Sequence, residues 1–248
     1  MYLLVQLKII SYNNDFLKKF ILKENDIFLF DTLGAEKKLI KKISQRKIKK
    51  VISFDETQNL NFDKVLIFNG IFFLKKKLKQ KKNINLNEGL KYLILNKNYK
   101  KVKLNKNKNK NILVSSGGSD KFHMLYKIVK ILENIDFFNK VYVIIGPGIK
   151  KNNKIFKLKT NQKFKYIYNP DNLKKYFDKV EYSLVSGGNV MFESIFSRKK
   201  TLVIKLYDNQ KYAIKFFKKK GAIKYLGNLK NLSITKIKMY LYTNKKFE

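Results

Sequence analysis

In its second half, the chain repeats one pattern: a short apolar run rich in Val, Ile and Leu, a turn of small residues, and then a longer amphipathic segment. Residues 112–115, 141–145 and 182–185 are three such runs. Near-continuous apolar runs that alternate with helical segments are typical of parallel strands buried on both faces. The pattern therefore predicts an α/β fold with a parallel, doubly wound sheet.

The same alternation extends over most of the chain. Residues 96–111 interrupt it with the sequence NKNYKKVKLNKNKNKN, which offers nothing to bury and is predicted to be a linker. We expect two domains, 1–105 and 106–248, although a long surface insertion within one domain would read similarly. Strands are predicted at 2–10, 26–30, 50–54, 65–69, 165–168, 201–206 and 222–226 in addition to the three runs above, and helices at 13–23, 35–45, 120–132, 171–177, 190–196, 211–219 and from 233 onward.

Composition excludes several kinds of chemistry. The chain has no Cys and one His, which excludes disulfides, thiol catalysis, Cys-based zinc sites and His clusters, so no metal or cofactor is expected. The formal net charge is +38, but Arg46 and Arg198 are the only arginines. Specific base readout favours the arginine fork, so no specific nucleic-acid partner is expected, while contact with an anionic membrane surface stays open. No apolar run is long enough to span a membrane, and a cytoplasmic location is expected.

The most informative segment is SGGNVMFE, residues 186–193, where a strand ends in two glycines and a helix follows at once. The unsatisfied N–H groups of such a helix, with the positive end of its dipole, form an anion site suited to a diphosphate. Glu193 lies about one turn into the helix, where a carboxylate can accept hydrogen bonds from both ribose hydroxyls. The alternative is a plain tight turn followed by an exposed glutamate.

Other turns at strand ends offer similar groups. Residues 115–120 include Ser116, Gly117 and Gly118, which could admit a sugar or phosphate, and Asp120, which could simply cap its helix. Asn209 and Gln210 follow another strand and could bind sugar or phosphate oxygens, with helix capping by the asparagine as the alternative. His123 is interpreted as a surface or structural residue. No residue is assigned as catalytic.

Several motifs in order, NILVSSGGSD, VYVIIGPG, YSLVSGGNVMFES, LYDNQ and KKKGAIKYLG, resemble the UDP-sugar hydrolases of pseudaminic acid biosynthesis. Upstream, IFLFDTLGAEKKLIKKI, KKVISFDET, FDKVLIFNG and KYLILNKNYK extend the resemblance to residues 26–230. That family is similar to the undecaprenyl N-acetylglucosamine transferases. It implies a GT-B-like fold of two Rossmann-type domains facing across a cleft, here with a shortened N-terminal domain.

The resemblance also implies residue roles. The backbone N–H groups of Gly187, Gly188, Asn189 and Val190 would hold the diphosphate of UDP, and Glu193 would hold its ribose. Asn209 and Gln210 would approach the sugar-phosphate end, and the loop with Gly146 and Gly148 would lie near the uracil. The family's Gly-x-Gly-His-x-x-Arg motif, with its catalytic histidine, is absent from this sequence, and Leu33 stands where the family usually has Tyr.

The resulting hypothesis is a UDP-sugar hydrolase of surface-glycan (polysaccharide) biosynthesis, of the pseudaminic acid type. Because the motif with the catalytic histidine is absent, a catalytically impaired form of this enzyme is included in the hypothesis. A glycosyltransferase on the same scaffold, a non-catalytic UDP-sugar-binding protein and a lysine-driven nucleic-acid binder remain alternatives. The sequence names neither the sugar nor the oligomeric state.

Overall fold

The computed structural model describes residues 23–30, 37–54, 65–70, 86–100, 109–158 and 162–242. The predicted strand at 2–10, nearly all of the predicted helix at 13–23, and Leu33 lie outside these ranges. Contacts divide the chain into two compact units: the described residues up to Asn69 and 86–92 belong to the first, and Gly70 and the described residues from Leu93 onward belong to the second.

The first unit contains a four-stranded parallel sheet with the order β1-β2-β3-β4. Its core is apolar and includes Ile40 and Ile43, which are fully buried. Burial alternates along β3, as expected for a strand with one face against the core and the other face half-buried. Its described elements are β1 (Ile27–Phe30), α1 (Lys37–Ser44), β2 (Lys50–Phe54), β3 (Val65–Asn69) and β4 (Leu86–Glu88).

The second unit contains a six-stranded parallel sheet. Its described strands and helices are β5 (Asn111–Ser115), α2 (Met124–Glu133), β6 (Lys140–Ile145), β7 (Phe164–Tyr168), α3 (Lys174–Phe177), β8 (Tyr182–Ser186), α4 (Asn189–Phe196), β9 (Lys200–Lys205), α5 (Lys211–Lys219), β10 (Lys224–Asn228) and α6 (Ile234–Tyr242).

Apolar periodicity explains these elements. In α2, the buried residues Met124, Leu125, Ile128, Val129 and Leu132 form one continuous stripe along the helix. Every residue of β8 is buried, as is typical of a central parallel strand covered on both faces. The prediction of a doubly wound parallel sheet is therefore confirmed for this unit.

The strand order of the second sheet is β10-β9-β8-β5-β6-β7. From β5 the chain moves outward through β6 to β7, then returns to β8 and proceeds in the opposite direction. The order reverses between β5 and β8, which are hydrogen-bonded neighbours. Such a reversal opens a crevice at the carboxyl ends of the two strands, where open α/β sheets bind their ligands.

The prediction that residues 96–111 bury nothing is wrong. Residues Lys97–Lys100 form a short 3-10 helix, and Tyr99 within it is only 4% exposed. Its ring packs against that of Phe177, with centroids 6.5 Å apart. This ring contact attaches the start of the segment to the second unit. The two units meet in the chain between Tyr92 and Leu93, ahead of the expected boundary at residue 105.

None of the helices within the described residues is both long and apolar enough to cross a membrane.

Candidate functional site

Two turns lie side by side at the reversal point of the second sheet. One follows β5 and contains Ser116, Gly117 and Gly118, and the other follows β8 and contains Gly187 and Gly188. They are joined directly, because the hydroxyl of Ser186 donates a hydrogen bond to the carbonyl oxygen of Ser116 over 2.9 Å. The structure thus brings together two segments that the sequence places about 70 residues apart.

The N-terminus of α4 has free hydrogen-bond donors. Gly188 occupies the N-cap position and supplies no side-chain cap. Among the described residues, no acceptor pairs with the N–H groups of Gly188, Asn189 or Val190. Three backbone donors are therefore available at the start of α4, with the positive end of the helix dipole behind them. An anion site at these donors stays a prediction.

The space in front of these donors is open. A Cβ atom added to Gly118 would meet nothing within 4 Å. One added to Gly188 would meet only Gln210 Nε2 at 3.8 Å and Ser186 Oγ at 4.0 Å, which are ordinary contact distances. An anion can consequently approach the backbone closely at both turns.

Gly187 has a different role from the one predicted. Its N–H donates to the carbonyl oxygen of Ile204 in β9 over 3.2 Å, so it is not available to a diphosphate. A Cβ at this position would lie 2.5 Å from Ile214 Cδ1 and 2.8 Å from Ile214 Cγ1, so a side chain here would force Ile214 to shift. Gly187 therefore lets α5 approach the turn closely, and the diphosphate prediction is kept only for Gly188, Asn189 and Val190.

Gln210 is held at the edge of the same site. It is 8% exposed, and its Oε1 accepts hydrogen bonds from the N–H of Leu206 at 2.8 Å and of Tyr207 at 3.3 Å. With its carbonyl end fixed in this way, its Nε2 faces Gly188. The capping role thus belongs to the oxygen of Gln210 and not to the asparagine for which it was considered. A contact between the amide nitrogen of Gln210 and a phosphate or sugar oxygen stays a prediction.

Within the part of the chain that the structure describes, two polar side-chain atoms in the neighbouring turns are buried without a hydrogen-bond partner. They are Ser116 Oγ, in a residue that is only 6% exposed, and Asn209 Oδ1. A buried polar atom without a hydrogen bond is energetically costly, by about 1–3 kcal/mol. Their occurrence at the ends of β5 and β9 is expected where a ligand completes the hydrogen bonding.

The turn with Gly146 and Gly148 lies on the far side of the Ser116–Gly118 turn from α4, because β5 separates β6 from β8. Gly148 N donates to Gly118 O over 2.8 Å, and a Cβ at Gly146 would lie 2.3 Å from Gly117 O. Both glycines are accounted for by this close backbone packing. Their proximity to a uracil stays a prediction.

Asp120 and His123 both lie at the start of α2. Asp120, only 3% exposed, accepts hydrogen bonds from Met124 N at 2.7 Å and Leu125 N at 3.3 Å, which confirms the capping interpretation. Burial raises the pKa of this carboxyl, while the two backbone donors lower it. His123 stands at the N-cap in the left-handed region, with φ of 54°, one residue before the helix begins.

Glu193 lies one turn into α4 and is partly buried. Loss of hydration raises its pKa to about 7, and the nearby Tyr99 hydroxyl opposes this rise. The pKa of Tyr99 is raised as well, by burial and then by the negative charge of Glu193. The two groups are close enough to influence each other, but the contact falls short of good hydrogen-bond geometry, and Tyr99 Oη is buried with no partner among the described residues.

Sequence reasoning missed Tyr99, which is hidden in a run of Lys and Asn. The available signal was its position as the one aromatic residue between 96 and 111.

Within the described residues, no group of three or more acidic or histidine side chains could hold a metal ion.

No protein-family model matches the chain. Over 214 residues, or 83% of its length, it is 26% identical to SpsG, a spore coat polysaccharide biosynthesis protein of Bacillus subtilis. The chain spans 63% of that relative's length.

Two solved structures are similar in fold. MurG of Acinetobacter baumannii matches with a TM-score of 0.53 and 12% identity, covering 85% of this chain and 68% of MurG. A Listeria monocytogenes protein assigned as a UDP-N-acetylglucosamine 2-epimerase matches with a TM-score of 0.52 and 14% identity, covering 89% of this chain and 66% of its own. The chain therefore has a GT-B-like fold built from two parallel-sheet α/β domains.

Proposed function

We propose that the second unit binds a UDP-sugar with its diphosphate at the N-terminus of α4, and that the protein processes this compound in polysaccharide biosynthesis. The observation that carries the proposal is a group of donors that have no hydrogen-bond partner among the described residues: the N–H groups of Gly188, Asn189 and Val190 and the hydroxyl of Ser116.

A diphosphate matches this set of groups in charge and in number of acceptors. Its oxygens can accept hydrogen bonds from the three amides and from Gln210 Nε2, while Ser116 Oγ can donate from the neighbouring turn. The helix dipole adds favourable interaction with negative charge, typically about 0.3–1 kcal/mol for each anionic group. The excess of lysine also attracts an anion from a distance.

Glu193 is proposed to accept hydrogen bonds from the ribose. It follows the free amides on the same helix, about one turn further along, and the resemblance to UDP-sugar hydrolases implies this role for it. In its ionised form it accepts two hydrogen bonds, and each hydrogen bond to a charged group contributes about 1.5–3 kcal/mol. Burial beside Tyr99 keeps the pKa of the carboxyl near 7, so ribose binding is strongest above that pH.

The reaction we propose is hydrolysis. Water adds its oxygen to the anomeric carbon, the bond from that carbon to the phosphate oxygen breaks, and UDP leaves with the electron pair while the attacking water loses a proton. The free amides of α4 stabilise the charge that develops on the departing diphosphate. This choice is supported by the resemblance to UDP-sugar hydrolases, and the place in polysaccharide biosynthesis is supported by the similarity to SpsG. No described residue is assigned as the base.

A glycosyltransferase would use the same site with a sugar hydroxyl in place of water. The likeness to MurG concerns the fold alone, so the products decide between the two reactions. Incubation with UDP-N-acetylglucosamine, with and without an acceptor sugar, is expected to release UDP in both cases. Release that requires the acceptor identifies a transferase, and binding without any release identifies a non-catalytic protein.

Calorimetry with UDP, ADP and inorganic pyrophosphate tests the binding site. We expect UDP to bind more tightly than ADP, and Glu193→Ala to weaken UDP binding about 10- to 100-fold without changing pyrophosphate binding, because it removes charged hydrogen bonds to ribose. Glu133→Ala, which removes a partly exposed carboxylate paired with Lys130, is the matched control and should change neither affinity. Equal binding of UDP and ADP, or no effect of Glu193→Ala, would refute the proposal.

A further inference from the structure

Phe122 and Tyr207 form an exposed aromatic pair. Their ring centroids are 5.3 Å apart with planes tilted by 52°, yet Phe122 is 47% and Tyr207 is 38% exposed. Aromatic rings that pack together are normally buried. These two rings stay partly exposed, so the pair leaves apolar surface open to solvent.

The location of the pair follows from the topology. Phe122 lies in the segment after β5, and Tyr207 lies in the turn after β9. Strand β8 stands between β5 and β9 in the sheet, so a contact between the two rings spans the carboxyl end of β8. The glycine turn that opens α4 begins at that end, which places the rings beside the proposed diphosphate site.

The orientation of the ligand decides what the rings would meet. Glu193 lies one turn into α4, so the proposed ribose extends from the diphosphate toward that residue. The opposite end of the diphosphate, which carries the sugar, is left to face the turn after β9. Tyr207 is fixed in this turn because its N–H donates a hydrogen bond to Oε1 of Gln210. The Nε2 of the same Gln210 side chain faces Gly188.

We propose that Phe122 and Tyr207 form a platform that packs against the apolar face of the hexopyranosyl group of the nucleotide sugar. The C–H groups on one face of a pyranose ring present a flat apolar surface, which matches exposed aromatic rings. The inference rests on the proposed function, because it needs a diphosphate at α4. It makes the two rings specificity-determining residues for the sugar, distinct from the groups that hold UDP.

The test compares the affinities of the whole protein for UDP and for UDP-N-acetylglucosamine, measured by calorimetry. Phe122→Ala and Tyr207→Ala are expected to weaken UDP-N-acetylglucosamine binding about five- to tenfold while leaving UDP binding within about twofold, since they remove only ring contacts with the sugar. Tyr207→Phe, which keeps the ring, should retain most of the wild-type affinity.

Tyr168→Ala is the matched control. Tyr168 is also exposed and stacks on Phe156, with centroids 6.1 Å apart, but it lies at the end of the edge strand β7. This variant should leave both affinities unchanged. An unchanged ratio of the two affinities in Phe122→Ala and Tyr207→Ala overturns the proposal. Equal weakening of both ligands also overturns it, since the rings would then contact the nucleoside. Failure of the wild type to bind UDP would overturn the proposed function itself.

Discussion

Replacing Glu193 with glutamine should stabilise the free protein, and only above acidic pH. Burial raises the pKa of this carboxyl from 4.5 to about 7, which makes the ionised form about 3 kcal/mol less stable in the fold than in water. Because the side chain keeps some contact with solvent, we expect about 1–2 kcal/mol of this cost to be realised. Glutamine has nearly the same shape and carries no charge at any pH.

The sign of the pH dependence follows from proton binding. Between pH 4.5 and about 7, the folded protein holds a proton on Glu193 that the unfolded chain has already lost. The contribution of Glu193 to the free energy of unfolding therefore falls as pH rises through this window, and the cost is complete above it. The stabilisation by Glu193→Gln should be below about 0.5 kcal/mol near pH 4.5 and reach about 1–2 kcal/mol near pH 8.

Thermal unfolding of the wild type and of Glu193→Gln at the two pH values measures this difference. At pH 8 the variant should melt about 3–6 °C higher, and near pH 4.5 the two curves should nearly coincide. Glu133→Gln, at an exposed ion pair with Lys130, controls for the loss of a surface carboxylate. A difference in Tm that is the same at both pH values would refute the assignment of a buried, destabilised carboxylate.

Two further results are expected. The affinity for UDP-N-acetylglucosamine should rise with pH up to about 7 and then level off, because the ribose is held by ionised Glu193. The rise should be as much as about tenfold per pH unit. Calorimetry should find no such rise in Glu193→Gln. Gly187→Ala should lower the free energy of unfolding by about 1–3 kcal/mol, because its Cβ would lie 2.5 Å from Ile214 Cδ1, whereas Gly118→Ala, with nothing within 4 Å, should unfold like the wild type in urea.

Apolar periodicity made much of the fold predictable. The helix over 211–219 and the strands at 50–54 and 65–69 occur as predicted, because each presents an apolar stripe or alternation to a core. The helix after β5 begins later than predicted, at Met124, because the carboxylate of Asp120 reaches forward to cap Met124 and Leu125. Its capping role was visible in the sequence, but the length of the turn before the helix was not.

The candidate site could be predicted only in part. The glycine turns and the helix that follows them were visible as local patterns. The N–H of Gly187 donates to Ile204, which lies in a strand that follows later in the chain. Local sequence therefore could not reveal that this donor is unavailable to a ligand. Tyr99 lies in a run of polar residues whose composition favours exposure, and only tertiary packing on Phe177 buries it. The exposed pair of Phe122 and Tyr207 likewise arises from two turns that the topology brings together.

The most direct test of the diphosphate site is a titration of the ¹⁵N-labelled full chain with UDP-N-acetylglucosamine, followed through its backbone amide resonances. Hydrogen bonds from three free donors to the diphosphate should move the amide resonances of Gly188, Asn189 and Val190 strongly, while that of Gly187, already bonded to Ile204, moves less. Binding that is evident by calorimetry but leaves the three resonances in place would contradict the account.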